Sequence, residues 1–413
     1  MRQVIIIGAG FGGLAVAKGL AGQAVEVTLI DRQNHHLFQP LLYQVATAGL
    51  SPADIAWPIR HLVRRHRNTR VLMGEVTGVD ASRKVVWLGY GPIAYDWLVI
   101  ATGATHGYFG HDEWAAYAPG LKDLDDATEI RRRLLLAFER AEMATSPDVC
   151  ARLLTIAIIG GGPTGVEMAG AVAELARKAL ATDFREIDPQ QTRVLLLEAG
   201  PRLLPNFPEE LSRYTEVALR RLGVEVRLGK AVTRCSADGI SLGEERIDAG
   251  TIVWAAGVIA SPAAGWLGIT GDRAGRVPVG SDLRPEGHTE IFVIGDTALC
   301  RDATGATLPG IAPVAKQQGT YAADVIKARL AGASNVPPFV YRDRGLLATI
   351  GRKSAVITYR RLRLKGWPAW WLWGAAHIYF LVSLRNRVIV VTQWLWSYLV
   401  FERGARLITG IGR

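Results

Sequence analysis

The chain reads as an α/β protein with two Rossmann-like units and a C-terminal helical tail. Three features predict this: a glycine-rich turn close to the N-terminus, a second of the same form about 150 residues later, and an apolar, arginine-flanked stretch at the end.

The first turn, Gly8-Ala9-Gly10-Phe11-Gly12-Gly13, follows the apolar run Val4-Ile5-Ile6-Ile7. The second, Gly160-Gly161-Gly162-Pro163-Thr164-Gly165, follows Ile156-Ala157-Ile158-Ile159. A short β-branched run, a glycine turn and then a helix-forming segment spell strand–turn–helix. Glycine at the first, third and sixth positions allows a tight turn, close approach of the backbone to a pyrophosphate, and close packing of helix on strand. The phosphates then rest at the positive end of the helix. One such turn can arise for steric reasons alone. Two, each with a carboxylate at the end of the following strand, predict two dinucleotide sites, and hence electron transfer from one dinucleotide to the other.

In the first unit the strand Val25 to Ile30 ends in Asp31, 18 residues past Gly13, close to the ~20 usual for a carboxylate that accepts from a ribose 2′-hydroxyl. In the second, Arg193 to Leu197 ends in Glu198, 33 residues past Gly165. The extra length is the polar stretch 183–189, read as a helix extension and loop. A carboxylate at this position accepts from a free 2′-hydroxyl and repels a 2′-phosphate, so NADH is expected over NADPH. Arg202 lies nearby as a counter-signal. The buried-strand pattern of 96–103, ending Thr102-Gly103, recurs at 251–257, ending Ala256-Gly257. Each follows its glycine turn by about 90 residues, as a duplicated dinucleotide unit would.

Composition narrows the class. A length of 413 residues suits two or three domains with sizeable cores. Cys150, Cys235 and Cys300 are far apart and show no metal-ligand spacing, which argues against a disulfide framework, a zinc site or an iron–sulfur cluster. The first strand begins at Val4, so no leader is expected ahead of the fold, and the N-terminal domain is expected on the cytoplasmic side. The net charge is +10 and unevenly placed: residues 342–413 hold 13 Lys or Arg against Asp343 and Glu402. Such asymmetry points to an anionic surface partner.

The strand Glu290 to Ile294 ending in Gly295-Asp296 resembles the ribityl-binding element of two-dinucleotide-binding-domain flavoproteins. That resemblance implies FAD at the first loop (Gly8, Gly10, Phe11, Gly12, Gly13, with Asp31, Thr102, Gly103 and Asp296). It implies NADH at the second (Gly160, Gly162, Thr164, Gly165, with Glu198, Ala256 and Gly257). Glu167, two residues past Gly165, then reads either as a carboxylate favoured by the helix dipole or as a polar contact at the nicotinamide–flavin junction. The run 34–55 and the segment Pro309-Gly310-Ile311-Ala312-Pro313-Val314-Ala315-Lys316-Gln317-Gln318-Gly319 resemble bacterial type II NADH:quinone oxidoreductases. In that family an Ala-Gln-x-x-x-Gln pattern lines the quinone site. Ala312 and Gln317 match it, while Pro313 replaces the first glutamine, so the resemblance implies quinone contacts at Gln317 and Gln318. A family lysine near the quinone corresponds to Lys353. His35 and His36 lack a third ligand for a metal and read as a polar turn; Ser51, Pro52 and Asp54 read as a helix cap.

The tail holds two uncharged stretches, 367–384 and 388–401, and six of the twelve tryptophans. Neither reaches the ~20 residues a span needs, and arginines flank both. Indoles at the headgroup level and guanidiniums on anionic lipid predict an interfacial anchor. The alternative is a helical hairpin buried in a homodimer interface, and the two are compatible. A nucleic-acid partner is not expected. The tail also resembles the membrane-anchoring C-terminus of the same family, ending Glu402-Arg403-Gly404-Ala405-Arg406-Leu407-Ile408-Thr409-Gly410.

The expected organisation is a split FAD domain (1–119 and 283–345), an NADH domain (120–282) and a membrane-association region (346–413). The implied activity is transfer of two electrons from NADH through FAD to a membrane quinone, without proton pumping, at the cytoplasmic side of the inner membrane. The rivals are a soluble NADH-dependent ferredoxin or rubredoxin reductase and a non-catalytic NADH-binding flavoprotein.

Overall fold

The computed structural model describes residues 1–333, 335–381, 384–400 and 404–409, without the side chains of 397–400. Glu402, Arg403 and Gly410 of the tail motif lie outside the described residues. The chain forms two compact units: Met1–Leu37, Ala56–Thr105 and Val258–Arg342 in the first, and Phe38–Ile55, His106–Gly257 and Asp343–Arg413 in the second.

These limits depart from the expected ones at four places, each for a packing reason. Residues 106–119 join the second unit because Tyr108, Trp114 and Ala118 enter the same apolar layer as Ile159 and Trp254. Residues 258–282 join the first unit because Ala263, Ala264 and Val277 enter the same apolar layer as Ile5, Ile7 and Val293. Residues 38–55 join the second because the turn Leu42–Ala46 packs on the helix Leu124–Glu142. The tail joins the second because its first strand, Leu346–Thr349, packs on the helix that follows the second glycine loop.

Helices α1 (Phe11–Gly19) and α2 (Pro163–Glu174) follow the two glycine loops. Helix α3 (Ala312–Leu330) lies late in the first unit, and α4 (Trp367–Phe380) and α5 (Leu384–Val400) form the tail.

In the first unit the sheet order is Ile291–Val293, Trp97–Ile100, Arg2–Ile7, Val25–Asp31, Thr69–Met73, all parallel. Strands covered on both faces read as unbroken apolar runs. Ile5, Ile6, Leu29, Ile30, Leu98 and Ile100 are fully buried here, each such side chain contributing roughly 1.5–3 kcal/mol. Helix α1 sits against α3 at a glycine pair: a Cβ on Gly319 would fall 2.2 Å from the Gly12 carbonyl oxygen.

The second unit repeats the plan. Its sheet runs Val224–Leu228, Arg193–Glu198, Thr155–Ile159, Thr251–Trp254. The last residue before each loop pairs equivalently: Ile7 with Ile30 and Ile100, Ile159 with Leu197 and Trp254. The duplication suspected in the sequence is therefore one of register as well as pattern. Helix α2 continues into a π-turn, Leu175–Ala179, which provides part of the extra length before Glu198.

The tail opens with an antiparallel sheet (Leu346–Thr349, Ala355–Tyr359, Leu362–Gly366) on which α4 packs. Its tryptophans divide. Trp370 and Trp373 are buried, while Trp367, Trp371 and Trp396 are more than half exposed. Among the described residues no helix is long and apolar enough to cross a membrane.

Candidate functional site

Each glycine loop is locked by the same contacts. Gly8 and Gly160 adopt φ +97° and +113° and donate N–H to Ile30 O and Leu197 O, both at 2.7 Å. A Cβ on Gly13 or Gly165 would sit 1.8 Å from the carbonyl oxygen of Gly8 or Gly160. The strand-end carboxylate braces the second loop residue: Asp31 Oδ2 accepts from Ala9 N–H and Glu198 Oε2 from Gly161 N–H, both at 2.6 Å. The other oxygen accepts from a backbone N–H two residues on, at Gln33 (2.8 Å) and Gly200 (2.6 Å). Burial holds the Asp31 carboxyl above the usual range, against these hydrogen bonds.

By contrast, a Cβ on Gly10 or Gly162 meets nothing within 4 Å. These third positions cap α1 and α2 with ordinary extended backbone. Open space directly before a helix N-terminus is a cradle for an anionic group that a side chain would fill, so the residues present fit a dinucleotide pyrophosphate at each loop.

The remaining first-unit residues converge around one turn. Thr102 Oγ1 lies 2.5 Å from Ser261 Oγ and 3.1 Å from Thr297 Oγ1, and Thr297 Oγ1 donates to Gly103 O at 3.0 Å. Asp296 occupies the one-turn helix Gly295–Thr297, where a Cβ on Gly310 would come 3.1 Å from its Oδ1. Ser261 and Thr297 carried no signal in the sequence, since lone hydroxyls acquire meaning only by their neighbours. Gln317 and Gln318 both spend their amides on backbone groups. Gln318 is buried and its Oε1 accepts from Gly295 N–H at 2.7 Å. Gln317 grips the Arg342 backbone at both ends, 2.9 and 3.0 Å.

The polar-turn reading of the histidine pair needs correction. His35 and His36 lie on the strand His35–Leu37. His36 is buried, its Nδ1 is 2.8 Å from Ala9 O, and Phe11 meets the ring edge-on at 5.2 Å. Burial lowers its pKa to about 4, so the ring is neutral and donates to the loop carbonyl. The strand carried no signal in the sequence, since His35-His36-Leu37-Phe38 shows no alternation of polar with apolar residues.

In the second unit Glu167 lies beyond the first turn of α2, which contains no acidic residue, so the helix dipole does not account for it. It is half-buried, its Oε1 accepts from Thr349 N–H at 3.3 Å, and desolvation pushes its carboxyl up to about 8. Thr164 is exposed at the start of α2. Gly257 and Ala256 close the turn after Thr251–Trp254, with Gly107 N–H donating to Gly257 O at 3.2 Å. Arg202, the counter-signal near Glu198, is committed elsewhere: its guanidinium donates to Phe207 O, Pro205 O and Ser212 Oγ. Lys353 is exposed at φ +66° on the turn after Leu346–Thr349, while its neighbour Arg352 lines a cleft of about 80 Å³. That cleft is bordered by Tyr43, Gln44, Glu174, Trp370, Trp373 and Trp394, among others. Trp394 Nε1 donates to Gln44 Oε1 at 2.9 Å and stacks on Trp373 at 5.5 Å. The tail thus supplies an aromatic wall as well as an exposed face.

The family model for pyridine nucleotide-disulphide oxidoreductases matches residues 2–319, and the NDH2 C-terminal domain matches 344–403. The chain is 42% identical over 423 residues to the type II NADH:quinone oxidoreductase Ndh of Mycobacterium tuberculosis, covering 99% of this chain and 90% of that protein. It is 30% identical to the mitochondrial internal alternative NAD(P)H-ubiquinone oxidoreductase A1 of Arabidopsis thaliana, covering 97% and 84%. The solved structure of NDH2 from Plasmodium falciparum in complex with NADH shares the fold at TM-score 0.89 and 21% identity, covering 99% of this chain and 100% of that one.

Proposed function

The chain belongs to the type II NADH:quinone oxidoreductases, and on that premise we propose how its two loops and its tail divide the work. The enzyme transfers two electrons from NADH through FAD to a quinone and pumps no protons. FAD, when bound, supplies the carrier that takes hydride from one substrate and passes electrons to the other. Everything else falls to the protein's own groups.

The first unit holds FAD. Gly8, Gly10, Phe11, Gly12 and Gly13 present the start of α1 to the pyrophosphate, Asp31 takes the ribose hydroxyl, and Thr102, Gly103 and Asp296 border the flavin end. The second unit holds NADH, with Gly160, Gly162, Thr164 and Gly165 at the pyrophosphate, Glu198 at the 2′-hydroxyl, and Ala256 and Gly257 closing the site. With the Arg202 guanidinium bound to the carbonyls of Pro205 and Phe207, it is not aimed at a 2′-phosphate beside Glu198, which supports NADH over NADPH.

Quinone reduction consumes two protons. Glu167 holds one at neutral pH because desolvation raises its carboxyl to about 8, so it suits a proton-donating group. Gln317 and Gln318 act by fixing the Arg342 and Gly295 backbones, and Lys353 contributes charge from the exposed turn. The tail's exposed Trp367, Trp371 and Trp396 with Arg360, Arg361 and Arg363 rest on anionic lipid, peripheral to the cytoplasmic face of the inner membrane, and the same region pairs two copies as a homodimer.

The observation that carries this reading is the matched pair of loop–carboxylate clamps, the geometry for two dinucleotides in one chain. NADH oxidation by the FAD-loaded enzyme, with quinone and with ferredoxin offered as alternative acceptors, tests it. Turnover with ferredoxin but none with quinone overturns the quinone assignment.

A further inference from the structure

Helix α2 carries a carboxylate at each end of one face. Glu167, Gly170 and Glu174 are spaced i, i+3, i+7 and therefore stack along a single stripe. The turn Thr349–Arg352 lies across that stripe. At one end Thr349 N–H reaches Glu167 Oε1. In the middle the approach is so close that a Cβ on Gly170 would stand 2.8 Å from Gly351 N. At the other end Glu174 is buried, its Oε1 accepts from Arg352 N–H, and its Oε2 lies 3.7 Å from the Arg352 guanidinium.

The turn has little freedom of its own. Gly351 adopts φ +76°, and Thr349 Oγ1 donates to Gly351 O and Ser354 O at 3.0 and 3.1 Å. Held rigid within and gripped at Glu174, it presents its first N–H to Glu167. Immediately past Glu174 the helix changes to the π-turn Leu175–Ala179, a feature that often accompanies functional sites. Ala171, Glu174, Thr349, Gly351 and Arg352 together border the cleft.

We propose that Glu174 is a positioning residue for quinone reduction: by clamping the Thr349–Arg352 turn onto α2, it sets the one N–H that hydrogen-bonds Glu167. This rests on the proton-donating role proposed for Glu167. Among the described residues only burial and the Thr349 N–H shift Glu167. Glu174 faces Arg352 from the turn, Lys353 points to solvent, and Arg177 on its own helix is turned away to the carbonyls of Thr192, Leu222 and Gly223. Loss of the clamp releases the N–H that favours the ionised carboxylate, so the Glu167 pKa rises.

The test is the pH profile of kcat at saturating NADH and quinone, on FAD-loaded Glu167→Gln, Glu174→Ala and Glu174→Gln enzymes. The parent loses activity as pH rises through about 8, and Glu167→Gln has no such limb. Glu174→Ala moves the limb to higher pH by about half a unit or more, whereas Glu174→Gln, which still accepts from Arg352 N–H, keeps it near the parent position. If Glu174→Ala does not fold, Gly170→Ala lifts the same turn from the middle and gives the same alkaline shift. A limb that survives in Glu167→Gln defeats the role given to Glu167, and this inference with it. A limb lost in Glu167→Gln but unmoved, or moved to lower pH, in the folded Glu174→Ala or Gly170→Ala enzyme overturns the positioning role alone.

Discussion

Gly10 and Gly13 sit three residues apart and differ completely in what they tolerate. Gly10 has φ −68° and open space where a Cβ would go, while a Cβ on Gly13 collides with the Gly8 carbonyl. Gly10→Val should therefore fold with an unchanged far-ultraviolet spectrum yet purify without flavin absorbance. Gly13→Val should fail to fold at all. A Gly10→Val enzyme retaining its full flavin complement would place FAD elsewhere. Glu167 yields a second expectation at this scale. Its carboxyl is at about 8 in the fold against 4.5 when free, so the folded state binds the extra proton between those values. Stability is full below pH 4.5 and declines as pH rises through the window to about 8. Glu167→Gln should abolish that decline and melt higher than the parent at pH 9, on the order of several degrees. Equal melting curves at pH 9 would show that the carboxyl is not desolvated. At the second loop, Glu198→Gln should narrow the NADH-to-NADPH ratio of kcat/KM by roughly tenfold, provided the amide oxygen still accepts from Gly161 N–H. An unchanged ratio would leave the preference to other groups.

Among the elements, α4 separates two roles that composition had merged. Trp373 is 2% exposed and stacks on Trp394, while Trp371 is 53% exposed. Trp373→Ala should cost about 3–5 kcal/mol of stability, as deletion of a large buried aromatic does. Replacing Trp367, Trp371 and Trp396 together with serine should leave the melting temperature nearly unchanged and strip most binding to anionic liposomes. If the triple variant melts early, these indoles are buried in an assembly instead. The apolar-run pattern located both helices, because a charge-free stretch bounded by arginines is visible in one dimension. Which indoles turn inward was not visible: α4 is apolar all round, so the side that packs is chosen by the sheet Leu346–Gly366 beneath it, a partner no helical periodicity encodes.

At the scale of the whole molecule the charge is the dominant feature. Of the +10 net charge, more than all lies in residues 342–413, and Arg360, Arg361 and Arg363 are exposed there. Each basic residue near an anionic surface contributes roughly 1 kcal/mol, and salt screens that attraction but not the burial of indoles. Sedimentation with anionic liposomes should fall as salt is raised to about 1 M, where the Debye length is about 3 Å, without reaching zero, and long-chain quinone reduction should follow it. Binding that is indifferent to salt would remove the electrostatic part of the anchor.

The sequence alone determined the two strand–loop–helix units, their acidic strand ends and the basic aromatic tail. These signals are local: a glycine at a fixed spacing answers to its own turn, and Asp31 and Glu198 stand where their own strands end. What belongs to contacts between distant segments was decided only in three dimensions. The placement of 258–282 follows from the apolar layer it enters, and that of 38–55 from the helix Leu124–Glu142 on which it packs. The amides of Gln317 and Gln318 spend themselves on Arg342 and Gly295 backbones that a sequence cannot bring near. Glu174, unremarkable in a helical run of alanines, becomes a clamp because a turn 178 residues away folds onto it. A buried polar group must be matched by a partner, and the identity of that partner is a property of the fold rather than of the residue.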